Sequence, residues 1–224
     1  MKRIAVLGGG PAGAFTAERL ATAGFETILI DEKLAWEKPC GGGLTYKAYS
    51  QYPFLIENGT PKRLITESWL SSSTAGSVRL NLSKPIVIYS RYELNKMLLD
   101  RASTAGVQLE KTRVTEISRR GSGWLLNTRA GKVDADFCVV ATGARNSLRE
   151  VGTRWSGADT MTTLGYYVPT HRNQIDIQFF PQFEGYIWVF PRNGHVSVGI
   201  CGKGASAQSL RARLEDYMRN NDLP

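Results

Sequence analysis

Three glycines and one aspartate near the start of the chain have the types and spacing of a ligand site. Gly8, Gly10 and Gly13 fit the pattern G-x-G-x-x-G, and Asp31 follows the last glycine by eighteen residues. Such glycines allow a tight turn, close approach of the backbone to a pyrophosphate and close helix packing, and such an acid accepts hydrogen bonds from ribose hydroxyls. Glu32 is the alternative ribose ligand if the preceding strand ends one residue later, although a surface charge is its simpler interpretation. The pattern predicts a site for an adenine dinucleotide.

The elements that must position these residues are a strand, a helix and a second strand. Residues 2–7 are a short run of strand formers, residues 14–23 have helical periodicity, and residues 27–30 predict a second strand. Pro11 and Ala12 stand where the helix begins, and the free N–H groups and positive dipole end of a helix at this point attract phosphate.

A second turn is predicted at the same edge of the sheet. Phe137 to Ala141 are five consecutive apolar residues that lead directly into Thr142 and Gly143. Such a run is typical of a central parallel strand that is buried on both faces. Because open parallel sheets bind ligands outside the carboxyl ends of their strands, we expect Ala141, Thr142 and Gly143 to lie beside the first glycine turn.

Composition excludes several classes of protein. Of the 224 residues, 42% are hydrophobic and 21% are charged, which is ordinary for a soluble globular protein, and no apolar run is long enough for a membrane helix. The net charge of +8 comes from scattered residues and predicts no nucleic-acid module. It is interpreted as a solvated surface, with attraction to anionic substrates, lipid headgroups or an acidic electron donor as the alternative. Three widely spaced cysteines indicate a reducing cytoplasm, and no metal-ligand cluster is present.

The rest of the chain predicts a second module. Residues 32–73 show no repeated pattern and contain Cys40 followed by three glycines, which either let backbone N–H groups reach a ligand or make a flexible loop. Periodicity and turn residues predict a helix at 92–105 and strands at 77–82, 85–89, 107–109, 112–119 and 124–128. Short aromatic-rich strands then follow at 163–168, 175–180, 185–190 and 196–201, before a helix at 206–220.

The predicted fold class is α/β, a Rossmann-like dinucleotide-binding domain of ββα type with a mainly parallel sheet, interleaved with an antiparallel β-sheet substrate domain. The predicted dinucleotide-binding domain comprises residues 1–74 and 91–160. The predicted substrate domain comprises residues 75–90 and 161–203, and a C-terminal helix occupies residues 204–224.

Four motifs together carry a resemblance to a known family. Residues 8–13 read GGGPAG, residues 38–44 read KPCGGGL, residues 135–149 read ADFCVVATGARNSLR, and residues 186–191 read YIWVFP. Through these motifs the chain resembles the geranylgeranyl reductase family, within the wider p-hydroxybenzoate-hydroxylase-like group of FAD enzymes. The last motif matches the reductases' Y-x-W-x-F-P pattern and separates them from generic dinucleotide binders.

The resemblance implies FAD as the cofactor and implies roles for single residues. Arg91 would lie beside the flavin and its pyrophosphate, Val114 would offer backbone contacts to adenine, and Cys40 would shape the site without acting as a covalent catalyst. The full set of implied FAD contacts is Gly8, Gly10, Pro11, Ala12, Gly13, Asp31, Glu32, Cys40, Gly41, Gly42, Arg91, Val114, Ala141, Thr142 and Gly143. The resemblance also implies that one wall of an apolar substrate channel is formed by Tyr186, Trp188 and Phe190. The same three residues are also consistent with an aromatic core, and the two interpretations overlap.

The implied reaction is reduction of an isoprenoid C=C bond by hydride transfer from reduced FAD. Cys40, Tyr186 and water are the candidates for proton donor. The substrate would be an apolar isoprenoid or an aromatic small molecule, the electron donor NAD(P)H or a redox protein, and the location the cytoplasm, with peripheral membrane contact as a further expectation. An FAD-dependent aromatic hydroxylase, similar to a monooxygenase, and a flavin-binding protein without activity are the alternatives.

One expected motif is missing from the sequence. The family has a Gly-Asp motif beyond the Y-x-W-x-F-P strand that contacts the flavin, and no Gly-Asp follows Pro191 here. Gly199 and Gly202 also stand where a G-x-G pattern is usual. The chain is therefore interpreted as lacking the usual C-terminal part, either as a fragment or as a short homologue with weakened flavin retention.

Overall fold

The computed structural model describes residues 1–144, 146, 148, 151–152 and 155–224. The chain divides into two compact units. The first unit comprises Met1–Trp36 and Tyr92–Trp155, and the second unit comprises Glu37–Arg91 and Ser156–Pro224. These boundaries differ from those drawn from sequence, because residues 37–74 and the C-terminal helix fall in the second unit. Three residues of the third family motif, Arg145, Ser147 and Arg149, lie outside the described residues.

The described residues form fourteen strands and four α-helices. The strands are β1 (Arg3–Leu7), β2 (Glu26–Ile30), β3 (Gly43–Leu44), β4 (Arg63–Ser72), β5 (Gly76–Ile88), β6 (Gln108–Glu110), β7 (Val114–Arg120), β8 (Gly123–Thr128), β9 (Gly131–Ala135), β10 (Phe137–Val140), β11 (Thr162–Val168), β12 (Ile175–Phe179), β13 (Gly185–Pro191) and β14 (Val196–Gly202). The helices are α1 (Pro11–Thr22), α2 (Tyr46–Gln51), α3 (Arg91–Thr104) and α4 (Ala207–Asn220), with short 3₁₀ turns at Pro53–Leu55 and Gly157–Asp159. None of the helices in these described ranges is long and apolar enough to cross a membrane.

The first unit contains a parallel sheet in the order β10-β1-β2-β6 and an antiparallel sheet in the order β7-β8-β9. Ile4 to Leu7 and Thr27 to Ile30 are buried, as expected for strands near the middle of a parallel sheet. The core joins residues from both sheets, including Leu7, Ile30 and Leu126. The α/β fold class with a parallel sheet and a separate antiparallel sheet is thereby confirmed.

One strand of the first unit differs from its prediction. The apolar run at β10 predicts burial on both faces, but β10 pairs with β1 alone and lies at the edge of the described sheet. Phe137 is accordingly 56% exposed. The prediction of burial on both faces is therefore wrong. An apolar run in the sequence does not show whether the strand has one neighbouring strand or two.

The second unit is built on one seven-stranded sheet in the order β11-β14-β13-β12-β4-β5-β3. All its pairs are antiparallel except β12 with β4. Helix α4 begins after Ser206, whose hydroxyl accepts the N–H of Ser209, a normal N-cap. Its apolar residues Leu210, Leu214 and Met218 pack with the inward-facing residues of β13 and β14 in the core of this unit.

The longest strands of this unit were only partly visible in the sequence. Residues 77–82 and 85–89 predict two strands, yet β5 is continuous through Pro85, and β4 was not predicted at all. The pairing of β4 with β5 shifts between Ile65 and Glu67, so residues 82–85 lie in a bulge. A bulge tolerates a proline, which cannot donate to the ladder, and it also breaks the alternation by which a strand is detected.

Candidate functional site

The glycine turn between β1 and α1 is closed by backbone contacts within the first unit. Gly8 has φ +113°, and a Cβ there would lie 2.5 Å from the carbonyl oxygen of Ala141. A Cβ on Gly13 would overlap the carbonyl oxygen of Gly8. The N–H of Ala141 donates to Leu7 O at 2.9 Å. The expectation that the Ala141 turn lies beside the first glycine turn is therefore confirmed.

The same turn leaves space at Gly10, the N-cap residue of α1. No described atom lies within 4 Å of a Cβ built on Gly10. Pro11 occupies the first helical turn, where its missing N–H is not needed, and Ala12 is exposed beside it. The first N–H groups of a helix have no partner within the helix, so this open end can bind a phosphate. An open, positively polarised helix end fits the pyrophosphate of a dinucleotide.

The Asp31 carboxylate accepts hydrogen bonds from the backbone of this turn and of the residues that follow β2. Oδ2 accepts the N–H of Gly9 at 2.7 Å, and Oδ1 accepts the N–H groups of Lys33 at 2.7 Å and Leu34 at 2.6 Å. A carboxylate offers about four acceptor positions, so Oδ2 retains capacity for a ribose hydroxyl. Asp31 therefore fits the ribose role while also fixing the end of β2 relative to the turn.

Glu32 faces a different environment from Asp31. Its carboxylate pairs with Arg129 at 2.9 Å and with Arg113 at 3.7 Å, and all three side chains are substantially exposed. Val114, the residue after Arg113, begins β7 and packs partly buried against the core of the first unit. Glu32 thus makes the surface ion pairs expected of a surface charge, and its role as a ribose ligand stays a prediction.

The Ala141-Thr142-Gly143 turn is shaped by a side chain that sequence reasoning did not single out. Thr142 Oγ1 donates to Asn146 Oδ1 at 3.1 Å, and Asn146 Nδ2 donates to the carbonyl of Val151 at 2.5 Å. Gly143 has φ +75°, which favours glycine. Asn146 stood within the quoted family stretch, but its amide could not be placed without knowing where the chain turns back.

The Cys40 loop (residues 40–43) belongs to the second unit, and its glycines contact protein side chains. A Cβ on Gly41 would lie 3.0 Å from the Phe190 ring, and one on Gly43 would lie 2.8 Å from the same ring. Gly42 has φ +83°, and a Cβ there would overlap the carbonyl oxygen of Tyr89. The loop therefore packs around Phe190 of the Y-x-W-x-F-P strand, an explanation that composition did not provide.

The carbonyl of Cys40 is held from two directions within this unit. Ser197 Oγ donates to it at 2.9 Å, and the guanidinium of Arg192 donates to it as well. Arg192 also pairs with Glu37 through Nη1 and Oε1 at 2.5 Å. Glu37 Oε1 accepts the backbone N–H of Arg91 at 3.0 Å. Of this cluster only Cys40 and Arg91 were predicted as site residues, although Arg192 directly follows the family motif.

Aromatic side chains line the face of the sheet that is turned away from α4. Tyr186 lies 6.1 Å from Phe179 and 6.3 Å from Trp188 between ring centroids. Trp188 rests on Gly199, where any Cβ would overlap the indole. Tyr186 is partly exposed, and the pKa of its hydroxyl is raised by burial, by Cys201 and by Cys40. Tyr186 therefore keeps its proton at neutral pH.

The three thiols differ in environment, and all of them lie in described parts of the chain as free cysteines. Burial raises the pKa of Cys138 to about 11, and Cys201 is buried in β14 opposite Tyr186. Cys40 is partly buried in its loop. Within the described residues no group of three or more His, Cys, Asp or Glu side chains could hold a metal ion.

Comparison with known proteins places this geometry in a family. The sequence profile of the family described as DAO, FAD dependent oxidoreductase, matches residues 87–221. The chloroplastic geranylgeranyl diphosphate reductase of Oryza sativa subsp. japonica is 28% identical over 226 residues, which cover 88% of this chain and 48% of that protein. The digeranylgeranylglycerophospholipid reductase of Methanosarcina mazei is 25% identical over 251 residues, which cover 97% of this chain and 58% of that protein. The chain thus spans about half the length of the curated relatives it matches.

A solved structure shares the fold. The geranylgeranyl bacteriochlorophyll reductase-like protein of Thermoplasma acidophilum superposes with a TM-score of 0.84 at 21% identity, covering 98% of this chain and 62% of that one. The resemblance to geranylgeranyl reductases stated from the four motifs is confirmed by these relatives. The matched profile covers more than half of the chain, so the chain belongs to the family of FAD-dependent oxidoreductases, and FAD is its cofactor.

Proposed function

We propose that the chain forms the flavin-binding and substrate-binding part of an enzyme that reduces C=C bonds of an isoprenoid chain. The observation that carries the proposal is the aromatic face of Tyr186, Trp188 and Phe179, which lies on the side of the sheet not covered by α4. An apolar surface formed by aromatic rings suits an isoprenoid, which offers no polar group along its length. The names of the two relatives, both reductases of geranylgeranyl compounds, support this choice of substrate.

FAD, when bound and reduced, supplies the hydride. The residues proposed to hold it are the Gly8–Gly13 turn at its pyrophosphate, Asp31 at its ribose, and the Ala141–Gly143 turn beside them. Arg91, Val114 and the Cys40 loop are proposed as further contacts on the family resemblance. The electron donor is proposed to be NAD(P)H or a redox protein, and contact with a membrane surface is expected because the substrate is lipophilic.

Tyr186 is proposed as the proton donor. Its phenol is partly exposed among the rings that would contact the substrate. It carries a proton at neutral pH, as a tyrosine with its ordinary pKa of about 10 already does, and burial raises that pKa further. General acid catalysis by a placed side chain contributes about 10²-fold to 10⁴-fold in rate. Cys40 is the competing donor, because the family resemblance implies that its loop shapes the substrate site.

The test begins with the visible spectrum of the purified chain after addition of FAD, followed by anaerobic reduction and addition of geranylgeranyl diphosphate. We expect flavin absorbance, reoxidation by the isoprenoid, and a product heavier by two hydrogens in the mass spectrum. Tyr186→Phe should slow that reoxidation at least about 100-fold. Tyr166→Phe is the matched control, because Tyr166 donates to Glu215 of α4 at 3.2 Å on the other side of the sheet.

Three results would contradict parts of the proposal. A chain that binds no FAD would remove the flavin site. Rapid oxygen consumption with an aromatic substrate, and no reaction with the isoprenoid, would favour the hydroxylase alternative. Full activity in Tyr186→Phe with loss in Cys40→Ser would move the proton donor to Cys40.

A further inference from the structure

Arg192 is buried more completely than a charged side chain normally is. Its side chain is 0% exposed, and its partner Glu37 is 29% exposed. Nε of Arg192 finds no hydrogen-bond partner among the described residues. Moving a guanidinium out of water and leaving one donor unpaired costs free energy that a single ion pair does not reliably recover. The burial of Arg192 therefore needs an explanation other than its contribution to stability.

Two neighbours of Arg192 are acceptors that the guanidinium contacts through two different nitrogens. Nη1 donates to Glu37 Oε1 at 2.5 Å, and Nη2 donates to the carbonyl oxygen of Cys40. A lysine would present one compact charge to the same two acceptors, without the fixed geometry of two parallel donors. The Tyr167 ring lies 5.3 Å from the guanidinium carbon and packs against its face. Glu37 and Tyr167 therefore fix the orientation of the Arg192 guanidinium independently of its contact with the loop.

The group that Arg192 contacts sets the conformation of the Cys40 loop. The carbonyl of Cys40 is the acceptor for both Arg192 and Ser197, so its peptide plane is fixed. Beyond this peptide Gly42 has φ +83°, and Gly41 and Gly43 close around the Phe190 ring. A Cβ on Gly42 would also lie 3.7 Å from Arg192 Nε, so the guanidinium backs the loop directly.

We propose that Arg192, oriented by Glu37, is a positioning residue that fixes the Cys40 loop in the conformation required for substrate reduction. The catalytic consequence rests on the proposed function, in which Tyr186, on the same strand as Phe190, contacts the isoprenoid. A released loop would free the Phe190 ring, which lies on the same strand as Tyr186. Binding and proton donation would then both weaken, although neither Arg192 nor Glu37 touches the substrate.

The test compares Arg192→Lys and Glu37→Gln with the wild-type chain, with FAD added and no substrate. Hydrogen exchange is followed in the peptide that covers residues 40–43, and the rate at which iodoacetamide labels Cys40 is followed by mass spectrometry. Arg120→Lys is the matched control, because Arg120 makes a two-oxygen contact with Asp134 at 2.9 and 3.0 Å on an exposed surface. The amides of α4 and the thermal midpoint report general loss of structure.

We expect Arg192→Lys to raise the rates of hydrogen exchange in the loop and of Cys40 labelling about tenfold, because one charge-assisted hydrogen bond is lost. Glu37→Gln should raise both rates by a smaller factor. The α4 amides and Arg120→Lys should match the wild type. Equal loop exchange and equal labelling in folded Arg192→Lys and Glu37→Gln would overturn the proposal. If Arg192→Lys does not fold, Glu37→Gln decides, since it preserves the size and shape of the side chain.

Failure of this inference can be told apart from failure of the proposed function. Exchange and labelling need neither a reductant nor an isoprenoid, so a loosened loop in a chain without reductase activity would support the positioning role and contradict the function. An active reductase whose loop is unchanged in both variants would contradict the positioning role alone. In an active chain, the two variants should also raise KM for the isoprenoid while Arg120→Lys leaves it unchanged.

Discussion

Two glycine-rich loops, Gly8–Gly13 in the first unit and the Cys40 loop in the second, use the same residue type in different ways. In the first, no described atom lies within 4 Å of a Cβ at Gly10, so the turn leaves space beside a helix end. In the second, Cβ atoms on Gly41 and Gly43 would lie 3.0 and 2.8 Å from the Phe190 ring, so a side chain of the same unit fills the space.

The difference lies in what fixes each loop. The first is fixed locally, by the Gly8 and Gly13 backbones and by the Asp31 carboxylate at the end of the next strand. The second is fixed by residues more than 150 positions along the chain, Arg192 and Ser197. A glycine shows that something approaches the backbone closely, and the rest of the fold decides whether that is a ligand or a side chain. The first loop should therefore respond to changes within itself, and the second to distant changes.

The largest effect is expected at Gly13, where Gly13→Ala should destabilise the first unit and abolish FAD binding. The new Cβ would overlap the Gly8 carbonyl oxygen, which belongs to backbone and cannot move aside without opening the turn. Overpacking of this kind costs about 3 kcal/mol. Thermal unfolding and a titration with FAD followed by flavin absorbance measure the two effects.

Gly10→Ala is the matched control for that prediction. Gly10 has φ −70°, which alanine adopts, and its Cβ would meet no described atom within 4 Å. Stability should stay within about 1 kcal/mol of the wild type, while FAD affinity falls because the methyl group stands where the pyrophosphate approaches. Unchanged FAD affinity in Gly10→Ala would show that the cofactor does not use this opening.

Cys138 of the first unit should react with iodoacetamide about 100-fold more slowly than an ordinary thiol. A pKa of about 11 for Cys138, raised by burial from 9.0, leaves about one thiolate in a thousand at pH 8, against about one in ten for an unperturbed thiol. Labelling with iodoacetamide at pH 8, read by mass spectrometry, should therefore modify Cys138 long after free cysteine added to the same solution. Cys138 labelling should rise as pH approaches 11, and denaturant should remove the difference. Equal rates for Cys138 in the folded chain and for free cysteine would contradict this prediction.

The first loop could be predicted from sequence and the second could not, for a physical reason. The Gly8 turn depends on residues close together in the chain, and its contact with Ala141 follows from the rule that parallel strands end at one edge. The hydrogen bonds to the Cys40 carbonyl come from Arg192 and Ser197. No sequence spacing links a loop to residues so far along the chain. Arg192 directly follows the Y-x-W-x-F-P motif, so a charge next to an apolar strand was the one available signal.

Strand prediction failed where local pattern was broken or ambiguous. The shift in pairing between Ile65 and Glu67 puts the two halves of β5 out of phase around residues 82–85, so the alternation of that strand is interrupted. The run that begins at Phe137 read as a central strand, because hydrophobicity alone does not reveal a missing neighbour. Both failures concern which strands lie side by side, a property of the fold that a single strand does not encode.

Gly43→Ala tests whether Phe190 truly fills the second loop. The new Cβ would lie 2.8 Å from the ring, so we expect a loss of about 2 kcal/mol in the free energy of unfolding. In a Phe190→Leu background the same change should cost much less, because the smaller side chain leaves room for the methyl group. Chemical denaturation of the four chains in this double-mutant cycle gives the coupling. If Gly43→Ala is neutral or stabilising in the wild-type background, the ring yields easily, and the loop is looser than its contacts indicate.

The smallest contrast is between Asp31 and Glu32, adjacent acids of the first unit. Asp31→Asn replaces one acceptor with an amide donor, which would face an N–H of Gly9, Lys33 or Leu34, at a cost of about 1.5 kcal/mol and with weaker FAD binding. Glu32→Gln removes only exposed ion pairs to Arg129 and Arg113, which contribute less than about 0.5 kcal/mol. Calorimetric titration of both variants with FAD, beside thermal unfolding, separates the two acids. A larger loss of affinity for FAD in Glu32→Gln than in Asp31→Asn would show that Glu32 binds the ribose. The acid that contacts the cofactor would then lie one residue further beyond β2.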